Sequence, residues 1–230
     1  DEGLAHFAED AVGRVVRGIG EFDDATFSRT LGGNVDDFNA FFFQNFARFR
    51  LYLRDPGPMS PVSSLADTSL AARGAAWALL HYAADQYAPG GDVKAFTKKL
   101  AGGPDIGVAN LTKNAGGVAF DVLISGFLVA NYADNLGIPN LNSLYTYRSY
   151  DMRSNESALP QSGNTYPLKV NAISGPSYTA GGQQARSGSG NYFFITRPTG
   201  SPARTFRFLN SDGQTAASFT GATWVLLRTR

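Results

Sequence analysis

The stretch DEGLAHFAED at residues 1–10 sets a carboxylate, an imidazole and two further carboxylates at positions 2, 6, 9 and 10. On a helix at about 100° per residue, Glu2, His6 and Glu9 fall within about 60° of one another, with Asp10 beside them and Leu4, Phe7, Ala8 and Ala11 pointing the other way. Glu2 and His6 stand at i and i+4, so their side chains meet and would supply half of a divalent-metal site. A solvated surface helix shows the same division without any chemistry, and taken alone the residues favour that reading.

Other constellations fall away on residue type. The chain has 230 residues and no cysteine, which excludes disulfides, thiolate metal sites and a cysteine nucleophile. Its only histidines are His6 and His81, and no HExxH occurs. His81, in LLHYAADQ, reads as a core or boundary histidine of a mainly apolar helix. There is no G-x-S-x-G elbow, and GGPDIG and TAGGQQ lack the strand, helix and lysine of a phosphate loop. NLT at 110 and NES at 155 match glycosylation acceptors, which matter only in a eukaryotic secretory setting.

These residues must be positioned by helices over the first part of the chain. Phe38, Phe42, Phe46 and Leu53 recur every three or four residues within 35–53, bracketed by Asp36 or Asp37 as N-cap and by DPGP at 55–58. A helix opening at Asp67, Thr68 or Ser69 and ending near Tyr87 is apolar nearly all round and rich in Ala and Gly, the composition of a central helix closely approached by its neighbours. Residues 92–103 form a short amphipathic helix with lysines in its last turn, and 116–137 a long buried one.

The composition changes near residue 160. Residues 1–160 hold 13 Lys/Arg against 18 Asp/Glu, and residues 161–230 hold 7 against 1, so an overall charge of +1 divides into −5 and +6. RSNESALPQSGNTYPL at 153–168 reads as a linker. Beyond it, YPLKVNAIS, NYFFITRP, ARTFRFLNSD and ATWVLLRTR are β-branched and aromatic runs between turn-forming clusters, the pattern of a small antiparallel β-sandwich. The fold class expected is α+β, with a mostly helical domain at 1–152 and a β-sandwich module at 163–230.

At 43% hydrophobic and 17% charged the chain has the balance of a folded protein, and cysteine-free, glycine-rich composition suits a bacterial exported one. No apolar run reaches the ~18–20 residues of a membrane span, and no basic segment followed by an apolar one opens the chain. Starting at Asp1, it reads as a processed product or a piece of something longer.

Taken together, DEGLAHFAED, FRLYLRDPGPMSP, LAARGAAWALLHYAADQY and DIGVANLTKNAGGVAFDVLISGFLVANYAD resemble the downstream part of secreted bacterial metallopeptidases of the gluzincin class, hyicolysin-like and thermolysin-like. The likeness covers residues 1 to about 150, and the strand-rich end resembles the β-sandwich modules that follow such catalytic domains. In that class HExxH is followed by a W-x-[ND]-E-G-L-[SA] segment whose glutamate is the third zinc ligand. The resemblance implies that role for Glu2, and it sets His6 where an acidic group usually orients a zinc histidine. It also sets Arg73, in LAARGAAW, where relatives carry a tyrosine that stabilises the oxyanion. Arg73 would be that electrophile, or would pair with an acidic neighbour in the helical core.

The resulting expectation is the C-terminal part of a secreted zinc endopeptidase acting on peptides or proteins, inactive as this chain because HExxH is absent. The competing reading is a non-enzymatic extracellular protein. Its helical domain would be a scaffold, and its basic, aromatic strands would bind a glycan or cell-wall polymer: Arg204 alternates with Phe206 and Phe208, and Trp224 shares parity with Leu226, Arg228 and Arg230. Seven basic residues over that segment are too sparse for a nucleic-acid surface, and none is expected.

Overall fold

A computed structural model describes residues 2–62, 69–160, 163–173, 185–196, 200–201, 205, 207–210, 212–218 and 221–229. It is mostly helical with a small two-stranded sheet. In chain order the helices are α1 (Glu2–Val16), α2 (Phe27–Leu31), α3 (Val35–Phe38), α4 (Gln44–Arg54), α5 (Leu70–Tyr87), α6 (Val93–Gly102), α7 (Gly107–Asn114), α8 (Phe120–Ala133) and α9 (Met152–Ala158). The strands are β1 (Val170–Ile173) and β2 (Tyr192–Ile195). None of the described helices is long and apolar enough to cross a membrane.

The phenylalanine run folds as expected, with one irregularity. α3 and α4 are joined by a π-helical turn, Asn39–Phe43, so that 35–54 is continuous helix. Phe38, Phe42, Phe46 and Phe49 are buried along it, and Phe46 meets Trp77 of α5 edge-on at 5.5 Å. The cap is Asn34, whose side chain accepts from the amides of Asp36 and Asp37. The two aspartates occupy the first turn instead, where the helix dipole favours them.

α5 is the central element. Ser69 caps it by accepting from the Ala72 amide, while Asp67 and Thr68 lie outside the described residues. Its small residues serve close approach: a Cβ on Gly74 would lie 2.2 Å from the backbone of Arg48 and Phe49 on α4. α1 packs on α5 in the same manner, since a Cβ on Gly3 would lie 3.0 Å from that of Ala76, and one on Gly13 would lie 2.5 Å from Phe41 in the π turn. Two chain segments thus cross α5 nearly backbone to backbone, and this fixes which side chains face one another along the seams.

Three expectations are corrected. The long helix at 116–137 is shorter, α8, because Gly116 and Gly117 both take left-handed φ (77° and 79°) and separate it from α7. The first residues of the expected linker are part of helix α9, capped by Asp151, with Met152, Asn155 and Glu156 buried. Its inward face is largely polar: Asn155 donates to the Ala25 carbonyl at 2.9 Å, and Arg50 to the Glu156 carbonyl at 2.8 Å. An apolar period is therefore missing from this helix although its inward face is buried.

The antiparallel arrangement is the third correction. β1 and β2 pair in parallel, Val170 opposite Tyr192 through Ile173 opposite Ile195. An antiparallel bridge joins Leu209 to Ala216, and 222–229 take no regular structure. Of the four runs read as strands, two form them among the described residues and ATWVLLRTR does not, and the direction of pairing is set by the connection, which composition does not reveal. The sheet segment docks on the helices through Tyr192, whose hydroxyl donates to the Leu128 carbonyl at 2.8 Å, and through Lys169, whose amide donates to the Leu53 carbonyl at 2.8 Å.

Candidate functional site

α1 is a polar-faced helix turned partly inward. Its buried stripe is Gly3, His6, Phe7, Asp10, Gly13 and Arg14, so Asp10, expected beside the solvated face, is wholly buried, while Ala8 is exposed. The glycines were the available signal: at positions 3 and 13 of a helix they mark the side that touches another backbone. The seam between α1 and α5 carries two groups of functional side chains.

At the start of α1, Glu2, His6 and Arg73 come together although Arg73 is 71 residues away in sequence. Arg73 Nε lies 3.4 Å from Glu2 Oε2, and His6 Nε2 lies 3.7 Å from the same oxygen. The other ring nitrogen of His6, Nδ1, is 3.0 Å from Glu9 Oε2. Glu2 is about one third exposed and Arg73 one quarter, whereas the His6 ring is buried. Arg48 of α4 completes the group. Its Nη1 stands 3.0 Å from Nδ1 and 3.1 Å from Nε2, across the ring rather than on one lone pair.

Arg48 was not legible in sequence, because nothing local distinguishes it from the other arginines of α4. Its position decides what His6 can do. The two carboxylates address opposite nitrogens of the ring, and a guanidinium bridges both, so a dication shared by Glu2 and His6 would meet a resident positive charge. The charges are already balanced, two carboxylates by two guanidiniums. Among the described residues no group of three or more His, Asp or Glu converges as a metal site. Glu2 and Glu9 are the accessible carboxylates of the group, Glu2 held by Arg73 and Glu9 by His6. A catalytic zinc takes three protein ligands, more than this group of residues brings together.

Further along the seam, His81 of α5 faces Asp10 of α1, Nε2 to Oδ2 at 2.8 Å, and Tyr150 donates its hydroxyl to Asp10 Oδ1. Burial, and next the Asp10 carboxylate, push the Tyr150 hydroxyl well above its ordinary range. His81 is thus a core histidine, as its mainly apolar helix implies, and it sits within a buried polar network. Arg14, one turn beyond Asp10, donates to the carbonyls of Ser149, Gly20, Glu21 and Asp23 and pins the 20–23 turn to the 149 loop. Asp85, one turn beyond His81, accepts from the amides of Arg148 and Ser149 and from the Ser149 hydroxyl, and burial raises its carboxyl above the usual range.

No family model, curated protein or solved structure matches the chain. The functional reading therefore rests on the residues and their arrangement.

Arg204, Phe206 and Arg230 of the basic end lie outside the described residues. Of the remainder, Phe208 and Trp224 stack at 3.8 Å between centroids, Trp224 being 59% exposed.

Proposed function

We propose that this chain is the helical half of a secreted bacterial zinc endopeptidase of gluzincin type, with Glu2 as a zinc ligand and Arg73 as the group that polarises the scissile carbonyl. The observation that carries the reading is the meeting of Glu2 and Arg73. Sequence likeness assigns them to the two sides of one reacting centre, and the fold brings them to 3.4 Å at an accessible end of the α1–α5 seam. A zinc ion held there would supply a water acidic enough to attack a peptide carbonyl. The chain's own residues contribute the carboxylate, held by α1, and a guanidinium able to donate to a developing oxyanion. The two histidine ligands and the general base belong to an HExxH helix that these 230 residues do not contain. Residues 163–230 are proposed as an accessory β-sandwich, with β1, β2 and the Leu209–Ala216 bridge as parts of it.

The test uses the chain extended upstream through its natural reading frame. One zinc per chain and hydrolysis of casein, both lost on Glu2→Ala, support the reading. An extended chain that binds no zinc overturns it.

A second reading is favoured by the exposed Trp224–Phe208 stack: a non-enzymatic extracellular protein whose strand-rich end binds a glycan or wall polymer through aromatic faces. Retention on insoluble peptidoglycan, lost in Trp224→Ala while zinc is absent from the extended chain, would select it.

A further inference from the structure

Gly3 of α1 faces Ala76 of α5 and Asp10 faces His81, so the two helices run in the same direction and their N-terminal ends lie together. Each of those ends is the positive pole of a helix dipole, which favours the Glu2 carboxylate in the first turn of α1. The same poles disfavour a cation at Arg73, the fourth residue of α5, and no acidic residue stands in the first turn of that helix. The charge of Arg73 is offset across the seam instead, by Glu2.

What can move at this end is a side chain. The backbone beside Arg73 is fixed, because Gly74 lies against Arg48 and Phe49 of α4 with no room even for a Cβ. The Arg73 side chain is one quarter exposed and that of Glu2 one third, so the guanidinium has a way off the carboxylate into solvent. Arg48 has none: it is held across the His6 ring, and its Nε is buried. The contacts of Arg73 and His6 with Glu2 both fall on Oε2, at 3.4 and 3.7 Å.

We propose that Arg73 is the resident counter-ion of Glu2 and competes with the metal for that carboxylate, so that metal loading and release of the guanidinium are coupled. The inference rests on the assignment of Glu2 as a zinc ligand. A dication and a guanidinium on one carboxylate stand closer together than the Debye length of about 8 Å at physiological salt, so their repulsion is only weakly screened. Arg73 therefore leaves Glu2 when the ion is bound, and the freed guanidinium is the group required at the scissile carbonyl. By linkage, the factor by which Arg73 on Glu2 weakens metal binding is the factor by which the metal weakens the Arg73–Glu2 pair.

The experiment uses the chain extended upstream through its natural reading frame, as the parent and as Arg73→Ala and Arg73→Lys. Zinc affinity is measured by competition with a chelating dye, and exchange of the Arg73 Nε–H with water by nitrogen-15 NMR. Arg73→Ala is expected to bind zinc at least about tenfold more tightly than the parent. Arg73→Lys keeps the charge and should stay within about threefold of the parent. In the parent, the Arg73 Nε–H exchanges more slowly without zinc than with it. This second measurement needs no variant and so holds if Arg73→Ala fails to fold. Zinc binding in Arg73→Ala no tighter than in the parent, or an exchange rate unchanged by zinc, overturns the inference and leaves Glu2 a ligand whose carboxylate serves both cations at once. A parent that binds no zinc overturns the zinc reading itself, and the inference with it.

Discussion

Single side chains in this protein hold loops as much as they build sites. Arg14 is the clearest case: buried, it satisfies four carbonyl oxygens from two loops. Arg14→Ala would orphan those carbonyls and is expected to cost about 3 kcal/mol in urea unfolding. Arg14→Lys should recover only part of it, because an ammonium cannot reproduce the planar fork. At this scale the sequence was partly legible. Glu2, His6 and Arg73 were singled out by family likeness and do meet. Arg48 and the inward turn of Asp10 were not, since each depends on which helix lies opposite. Arg73 also shows the pairing with an acidic neighbour that was its alternative role, and the neighbour is Glu2 itself.

At the scale of elements, helices whose buried faces are apolar were visible and those with polar buried faces were not. Phe38, Phe42, Phe46 and Phe49 announced their helix through spacing alone. α9 did not, because Asn155 and Glu156 enter the core through hydrogen bonds to Ala25 and Arg50. The tight crossing of α4 and α5 gives a direct check. Gly74→Ala puts a Cβ 2.2 Å from backbone atoms of Arg48 and Phe49 and is expected to cost about 2–3 kcal/mol, read as a lowered urea midpoint. Phe46→Ala, emptying a site between Trp77 and Tyr150, should cost about 3–5 kcal/mol. If Gly74→Ala were neutral, the close approach that aligns Arg48 with α1 would be wrong.

The whole molecule carries several buried carboxyls whose protonation couples to folding. Burial raises Asp85 and lifts Glu156 well above its usual range, and burial chiefly raises Asp134 from 3.8 to about 7. Asp134 accepts from the amides of Tyr147 and Met152 and so ties the end of α8 to the start of α9. A carboxyl raised in the folded state binds a proton that the unfolded chain releases. Its stabilising contribution is therefore complete below about pH 4 and is lost as pH rises through about 7. Asp134→Asn should remove roughly 2–4 kcal/mol of that decline, so the stability of the variant relative to the parent rises between pH 4 and 8. A constant difference across that range would place the titration elsewhere.

The measurement that bears most directly on function is zinc content by elemental analysis after dialysis. It is made on this chain, on the chain extended upstream through its natural reading frame, and on the extended Glu2→Ala variant. The account expects one zinc in the extended chain and a large loss in the variant, with none in the 230 residues alone. An extended chain that holds no zinc, or one that keeps it fully without Glu2, would contradict the assignment of Glu2 as a metal ligand.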